Sequence, residues 1–370
     1  MTEAAQDIRF VLLGHPADYD HFVELAQHSA KSAKPERFER HRATFRKFME
    51  WMPSYVTTHR PAVATRAGIV TGRLVVCPFF PDEIKSPQQM KRAYDKVVAG
   101  CKLAKELGAH VVGLGGFTSI LEGANGNVLA ARLGLTITSG NALTAALAIE
   151  QVRAVLVQAK RPLERETVAV IGATGDIGRV CTLELAKSAK RLVLIARNRD
   201  RLEALRAEIG KDTGIEVATD PLAARRASVI VAAASASTPI ITEAQLAPGT
   251  IACDVGYPKN LSEAPAARDD VLIFSGGLAK LPGPIDLKSY TRLPAPDLLH
   301  GCFSEAIVLA AKPEYLGLST DQGGANIDRV KAIFKAASEL GFEPAPPYRG
   351  DRRIAVESIE RFGRGFVVAA

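Results

Sequence analysis

Apolar positions are distributed along the chain in two rhythms. Phe10-Val11-Leu12-Leu13-Gly14 is an unbroken apolar run, which predicts a short buried strand. From there to about residue 50 the pattern predicts two polar helices. Residues 66–79 hold two β-rich segments, with a turn expected at Thr71-Gly72. Ser86 is placed to cap a long helix running to Leu107, with Met90, Tyr94, Val97, Val98, Cys101 and Leu103 at helical spacing and Gly108 as its stop. His110–Leu114 reads as a buried strand that runs straight into Gly115-Gly116-Phe117-Thr118-Ser119. A glycine-rich loop at the end of a strand is where α/β folds hold ligands. A second long helix is expected from Asn141 to Lys160, with Pro162 marking its end.

From Thr167 onward, strands and helices alternate. Strands are expected at Val168–Ile171, Leu192–Ala196, Val229–Ala233, Thr250–Val255 and Val271–Phe274. Helices are expected at Gly178–Ala189 and Asp200–Gly210. This alternation predicts a doubly wound parallel sheet of Rossmann type. After Gly276-Gly277 the chain is Pro-rich to Pro296, then helical at Cys302–Ala311 and Ile327–Leu340. The fold class expected is α/β. A Rossmann-type domain (161–290) is inserted between an α/β N-terminal domain (1–160) and a helical C-terminal segment (291–370) that packs on the N-terminal domain.

Of the 370 residues, 47% are hydrophobic and 24% charged, enough apolar mass for two packed domains and too much for a disordered chain. No run of apolar residues is long enough to span a bilayer, and no secretory signal pattern opens the chain. Cys77, Cys101, Cys181, Cys253 and Cys302 are odd in number and lack a Cys-x-x-Cys pair, so neither a disulfide framework nor a metal site is expected. These features fit a reducing cytoplasm. The net charge of +7 favours acidic partners. It is densest at Lys31, Lys34, Arg37, Arg40, Arg42, Arg46 and Lys47, interrupted by Glu36 and Glu39. That run reads either as a solvated helix face or as a docking face for an acidic partner. With little aromatic interleaving and no recognition motif, nucleic acid is not expected as the partner.

The strongest local signal is Gly172-Ala173-Thr174-Gly175-Asp176-Ile177-Gly178, directly after a predicted strand and opening a predicted helix. The glycines fall as G-x-x-G-x-x-G. Gly172 permits the turn, Gly175 lets a pyrophosphate approach, and Gly178 lets the helix pack on the strand. The alternative is a tight strand–helix turn that binds nothing. The next strand ends at Ala196 and is followed by Arg197-Asn198-Arg199, where an NAD enzyme usually carries an acid. Cations there suit a 2′-phosphate, so NADPH is the expected cofactor. Ala234 and Ser235, with Gly256, are expected to line the nicotinamide side.

Among the cysteines, Cys302 stands apart. It lies in His300-Gly301-Cys302-Phe303-Ser304-Glu305 at a predicted helix start, where the helix lowers a thiol's pKa. Taken alone this is equally the place of a buried structural cysteine. Its neighbour His300 is either a base or a packing residue. Lys259 is either a surface lysine after Pro258 or a group that binds ribose or polarises a carbonyl.

The chain resembles the long-chain acyl-(acyl-carrier-protein) reductases best known from cyanobacteria. The resemblance is carried by Leu114–Ile120, Thr138-Ser139-Gly140-Asn141, Gly172–Gly178, Leu194–Arg199, Gly256–Leu261, Gly276-Gly277 and Cys302–Ile307, in that order. It implies an enzyme that takes a long-chain acyl group from acyl carrier protein or coenzyme A, joins it to Cys302, and uses NADPH to release a fatty aldehyde. It implies NADPH contacts at Gly172–Gly178 and Arg197–Arg199. Backbone N–H groups at the start of the Cys302 helix, with Ser119 or Asn141, are expected to hold the oxyanion. Competing expectations are a shikimate- or quinate-type dehydrogenase that reduces a ketone without a cysteine, and a non-catalytic NADP(H)-binding regulator.

Overall fold

The computed structural model describes residues 7–29, 34–122, 126–210, 214–242, 245–262, 268–285, 287–318 and 326–363. The chain forms two compact units. One comprises 1–140, 281–322 and 336–342, the other 141–280, 323–335 and 343–370.

The first unit opens with β1 (Phe10–Gly14), α1 (Tyr19–Ser29), α2 (Pro35–Arg40) and α3 (Arg42–Trp51). It continues with β2 (Tyr55–Val56), β3 (Ala62–Thr65), β4 (Gly68–Val76), α4 (Pro87–Glu106) and β5 (Val111–Leu114). It then runs through α5 (Phe117–Glu122), α6 (Gly126–Leu133) and β6 (Thr136–Thr138). The sheet order is β2-β4-β1-β5-β6, with β3 also on β4. β1 lies parallel to both β4 and β5, which explains its unbroken apolar sequence, since an inner parallel strand is covered on both faces. α4 begins as expected: the Ser86 hydroxyl accepts from the Gln89 N–H at 3.2 Å and Pro87 occupies the first turn.

Two expectations are corrected here. Residues 15–50 form three helices, not two, around an aromatic cluster of Tyr19, Phe22, Phe38, Phe45 and Phe80. Thr71-Gly72 is not a turn. β4 runs through it, and the hairpin reverses at Arg66-Ala67 between β3 and β4. Gly72 is glycine because a Cβ there would lie 2.4 Å from the Phe10 ring, so the signal read as a turn was a site of close packing.

The second unit begins with α7 (Asn141–Gln158), followed by β7 (Thr167–Ile171), α8 (Asp176–Leu185), β8 (Arg191–Ile195) and α9 (Arg199–Ile209). Then come β9 (Ile215–Ala218), β10 (Val229–Ala232), β11 (Ile251–Asp254) and β12 (Leu272–Ser275). The sheet order β9-β8-β7-β10-β11-β12 is all parallel, with the first strand in the middle and the chain winding out to both sides. That is the doubly wound Rossmann sheet the sequence predicts. The first unit is completed by α10 (Lys288–Thr291) and α11 (Gly301–Ala311).

The domain boundaries differ from those expected. α7 belongs with the Rossmann sheet, and the boundary falls at Gly140-Asn141 rather than at residue 160. α7 is buried on nearly every side, so it is a core helix of the second unit, packed against α8. Residues 343–363 also belong to the second unit and not to the N-terminal one. There Gln151 of α7 donates to the Ala345 carbonyl at 3.0 Å and accepts from the Gly277 N–H at 2.8 Å.

Candidate active site

In the first unit α11 lies against β5 and β1, and its approach is set by missing side chains. A Cβ on Gly113 would sit 2.6 Å from Ala306 Cβ, one on Gly115 2.4 Å from the Phe303 ring, and one on Gly140 2.0 Å from Cys302 Cα. Glycine is therefore required at three positions on two segments to let the Cys302 end of α11 reach the strand ends. Cys302 stands in the first turn of α11 and is partly exposed. Backbone amides at Gly116, Phe303 and Cys302 itself favour its thiolate. Gly116 has a φ of +58°, a left-handed conformation that glycine adopts without strain. Burial of the sulfur outweighs these donors and pushes the Cys302 thiol up to about 11. The expected lowering by the helix is present as the N–H groups, but desolvation is the larger effect.

Two buried groups absent from the sequence-based set hold this arrangement. His15 accepts from the Phe117 N–H through Nε2 at 2.9 Å, so its proton is on Nδ1, which donates to the Pro16 carbonyl at 2.9 Å. Burial, with His21 nearby, lowers its pKa to about 4, and the ring stacks on Phe79. The neutral imidazole thus anchors the loop that presents the Gly116 N–H. Glu305 is fully buried one turn along α11 from Cys302 and accepts from Thr138 Oγ1 at 2.6 Å. Thr138 Oγ1 in turn accepts from the Gly140 N–H at 2.9 Å. This chain ties α11 to the loop packed on Cys302.

In the second unit the Gly172–Gly178 loop joins β7 to α8. Added Cβ atoms would meet backbone at 2.6 Å on Gly172 and 2.1 Å on Gly178, whereas Gly175 would meet only the Gly172 carbonyl, at 3.4 Å. The loop is packed tightly on its protein side and open where a pyrophosphate would approach. α8 starts at Gly175 with no side-chain cap, leaving its first-turn N–H groups for an anion. At the end of β8, Arg197 makes no ion pair among the described residues, and Arg199 has only Glu203 at 3.7 Å. Asn198 caps α9 by accepting from the Arg201 N–H, and Arg201 donates to the Thr174 carbonyl at 2.7 Å. The residues present therefore fit NADPH: the loop and α8 for the pyrophosphate, Arg197 and Arg199 for a 2′-phosphate.

Other candidates fall into supporting places. Asn141 Nδ2 donates to Asp176 Oδ2 at 3.2 Å, so Asn141 braces the Gly172–Gly178 loop. Ser119 Oγ donates to the Gly116 carbonyl at 2.8 Å, within the loop that faces Cys302. Ala234 is clamped by Asn260, which accepts its N–H and donates to its carbonyl at 2.8 and 2.9 Å. Gly256 N–H donates to buried Asp254, which also accepts from Asn260 and Leu261. Lys259 Nζ donates to the Asp254 carbonyl at 3.1 Å, within its own loop. Ala196 follows β8 and is half-buried, and Ser235 lies beyond the end of β10 and is exposed. His300 is the N-cap residue of α11 and makes no side-chain cap bond.

Sheet order, glycine cradle and cationic strand end together define the class: a dinucleotide-binding oxidoreductase. Residues 155–275 match the Shikimate / quinate 5-dehydrogenase family model, which spans the cofactor half of the chain. The chain is 29% identical over 309 residues to the long-chain acyl-[acyl-carrier-protein] reductase of Synechococcus elongatus, covering 80% of this chain and 89% of that one. The resemblance read from the motifs is thereby borne out. It is also 29% identical to Aminotransferase PigE of a Serratia species over 73% of this chain, which spans only 32% of that longer protein. Among solved structures, glutamyl-tRNA reductase from Methanopyrus kandleri aligns over 68% of this chain and 54% of its own, at 16% identity and a TM-score of 0.30. Cofactor cradle and sequence relatives support an enzyme that uses NADPH. Among the described residues no group of His, Cys, Asp and Glu could hold a metal ion, and no helix is long and apolar enough to cross a membrane.

Proposed function

We propose that this enzyme reduces a long-chain fatty acyl thioester, carried by acyl carrier protein or coenzyme A, to the fatty aldehyde through an acyl-Cys302 intermediate. The observation that carries the reading is the one part-exposed cysteine, Cys302, in the first turn of α11, with Gly113, Gly115 and Gly140 clearing that helix's approach. In this reading Cys302 loses its proton as it attacks the thioester carbonyl, and the carrier thiol leaves with a proton. N–H groups of the loop and of α11 hold the negative charge first on sulfur and then on oxygen. NADPH, when bound, supplies the hydride that converts the acyl group to the aldehyde level. The C–S bond to Cys302 then breaks, releasing aldehyde, and the thiolate takes a proton from water to return to the thiol. His15 and the Glu305–Thr138–Gly140 chain keep the donors aimed. Asn141 and Arg201 hold the cofactor loop in shape. Similarity over four-fifths of the chain to an acyl-carrier-protein reductase supports the acyl donor.

The test is intact mass of the protein incubated with a long-chain acyl thioester and no NADPH. An adduct on Cys302, discharged as aldehyde once NADPH is added, is expected. In Cys302→Ala both adduct and aldehyde should disappear. Aldehyde formation at near-normal rate in that variant would refute the reading. NADPH oxidation with a ketone and no adduct would instead favour the ketone dehydrogenase.

A further inference from the structure

The cationic run at the N-terminus of the chain divides in the structure. Lys31 lies outside the described residues. Arg42 pairs with Asp20 and Glu39, Arg46 pairs with Asp82 and Glu83, and Arg42 also covers the Tyr19 ring. These two arginines are committed to holding α3 in place. Lys34, Arg37, Arg40 and Lys47 are exposed and make no ion pair among the described residues. Glu36 is the one carboxylate on α2 and α3 that is likewise uncommitted among them.

α3 turns Phe45 and Met49 inward to the aromatic cluster. The opposite face, at helical spacing, presents Thr44, Lys47, Phe48 and Trp51. Trp51 is 75% exposed and Phe48 56% exposed. Large aromatic rings are normally buried, and Trp51 is the only tryptophan in the chain. Two aromatic rings standing outward beside an uncommitted cationic surface are the composition of a helix that lies in a bilayer interface. There rings enter the headgroup region and cations meet anionic lipid.

We propose that the outward face of α3, with the adjoining cations of α2, docks on an anionic phospholipid surface. Charge complementarity selects this occupant. A second copy of the chain would bring the same cations face to face. A protein partner is anchored most strongly by aromatic side chains enclosed in well-packed pockets, whereas these rings project from a helix surface. The inference is independent of the reaction proposed above.

The single tryptophan makes the test direct. The full chain is titrated with vesicles of mixed phosphatidylglycerol and phosphatidylcholine, and with phosphatidylcholine alone. Trp51 emission and co-flotation are followed. A blue shift and flotation with the anionic vesicles, reversed by high salt, are expected. Arg40→Gln combined with Lys47→Gln should lower partitioning ~30-fold. Phe48→Ser should lower it as well, without changing the thermal melt. No shift with anionic vesicles overturns the proposal, as does equal binding to both vesicle types. A Trp51 shift caused by an acidic carrier protein while vesicles stay inert would assign the face to a protein and also overturn it.

Discussion

At Cys302, burial and the helix start act in opposite directions, and burial sets the resting state with the thiol protonated. His15 shows the same effect with the sign that suits a base. Burial excludes the imidazolium, so the folded protein binds the proton only near pH 4, whereas an ordinary histidine binds it near 6.5. The unfolded chain therefore takes up the proton first. The stability this contributes is fully present above about pH 6.5 and is lost as pH falls toward 4, on the order of 3 kcal/mol in all. Denaturant unfolding compared at pH 5 and pH 7 should show that loss, and His15→Gln should reduce it. Equal pH dependence in the two proteins would remove His15 from this role. A protonated His15 also loses its acceptor for the Phe117 N–H, so acid should loosen the Cys302 loop before the rest of the unit.

Among the elements, α11 and β5 meet where side chains are reduced to hydrogen. Gly113→Ala places a Cβ 2.6 Å from Ala306 Cβ, between a central strand and a buried helix that have little room to yield. We expect a stability loss of about 1–3 kcal/mol, read by thermal melting, together with slower labelling of Cys302. The end of β8 offers a second element-level test. Arg197→Asp removes a cation from the expected 2′-phosphate site and restores the acid usual in NAD enzymes. The Kd for NADPH should rise ~10-fold or more while NADH binds no more weakly. Equal losses for both cofactors would mean that Arg197 does not meet the phosphate.

Over the whole molecule, the chain leaves the first unit at Gly140, builds the Rossmann sheet, returns, and ends in the second unit. Gln151, itself buried, joins that last segment to the rest of the second unit by bonding the Ala345 carbonyl and the Gly277 N–H. Gln151→Leu leaves both groups without a partner. It should cost about 1–3 kcal/mol in the second unit, measurable by unfolding in the presence and absence of NADPH.

Periodicity and local chemistry sufficed for whatever depends on neighbours in sequence. The buried strands, the Ser86 cap, the glycine loop before α8 and the cysteine at the start of α11 were all legible, because each is specified within about a dozen residues. What depends on distant segments was not. Gly72 resembled a turn because nothing local reveals the Phe10 ring above it. Nothing local marks Glu305 as buried, because its partner Thr138 lies 167 residues away in the chain. His15 carried no local signal, since its partner Phe117 lies 102 residues away. α7 was assigned to the wrong unit because a largely apolar helix does not state which core it enters. The raised pKa of Cys302 belongs to the same class: the helix start is written in the sequence, but desolvation is a property of everything packed around it.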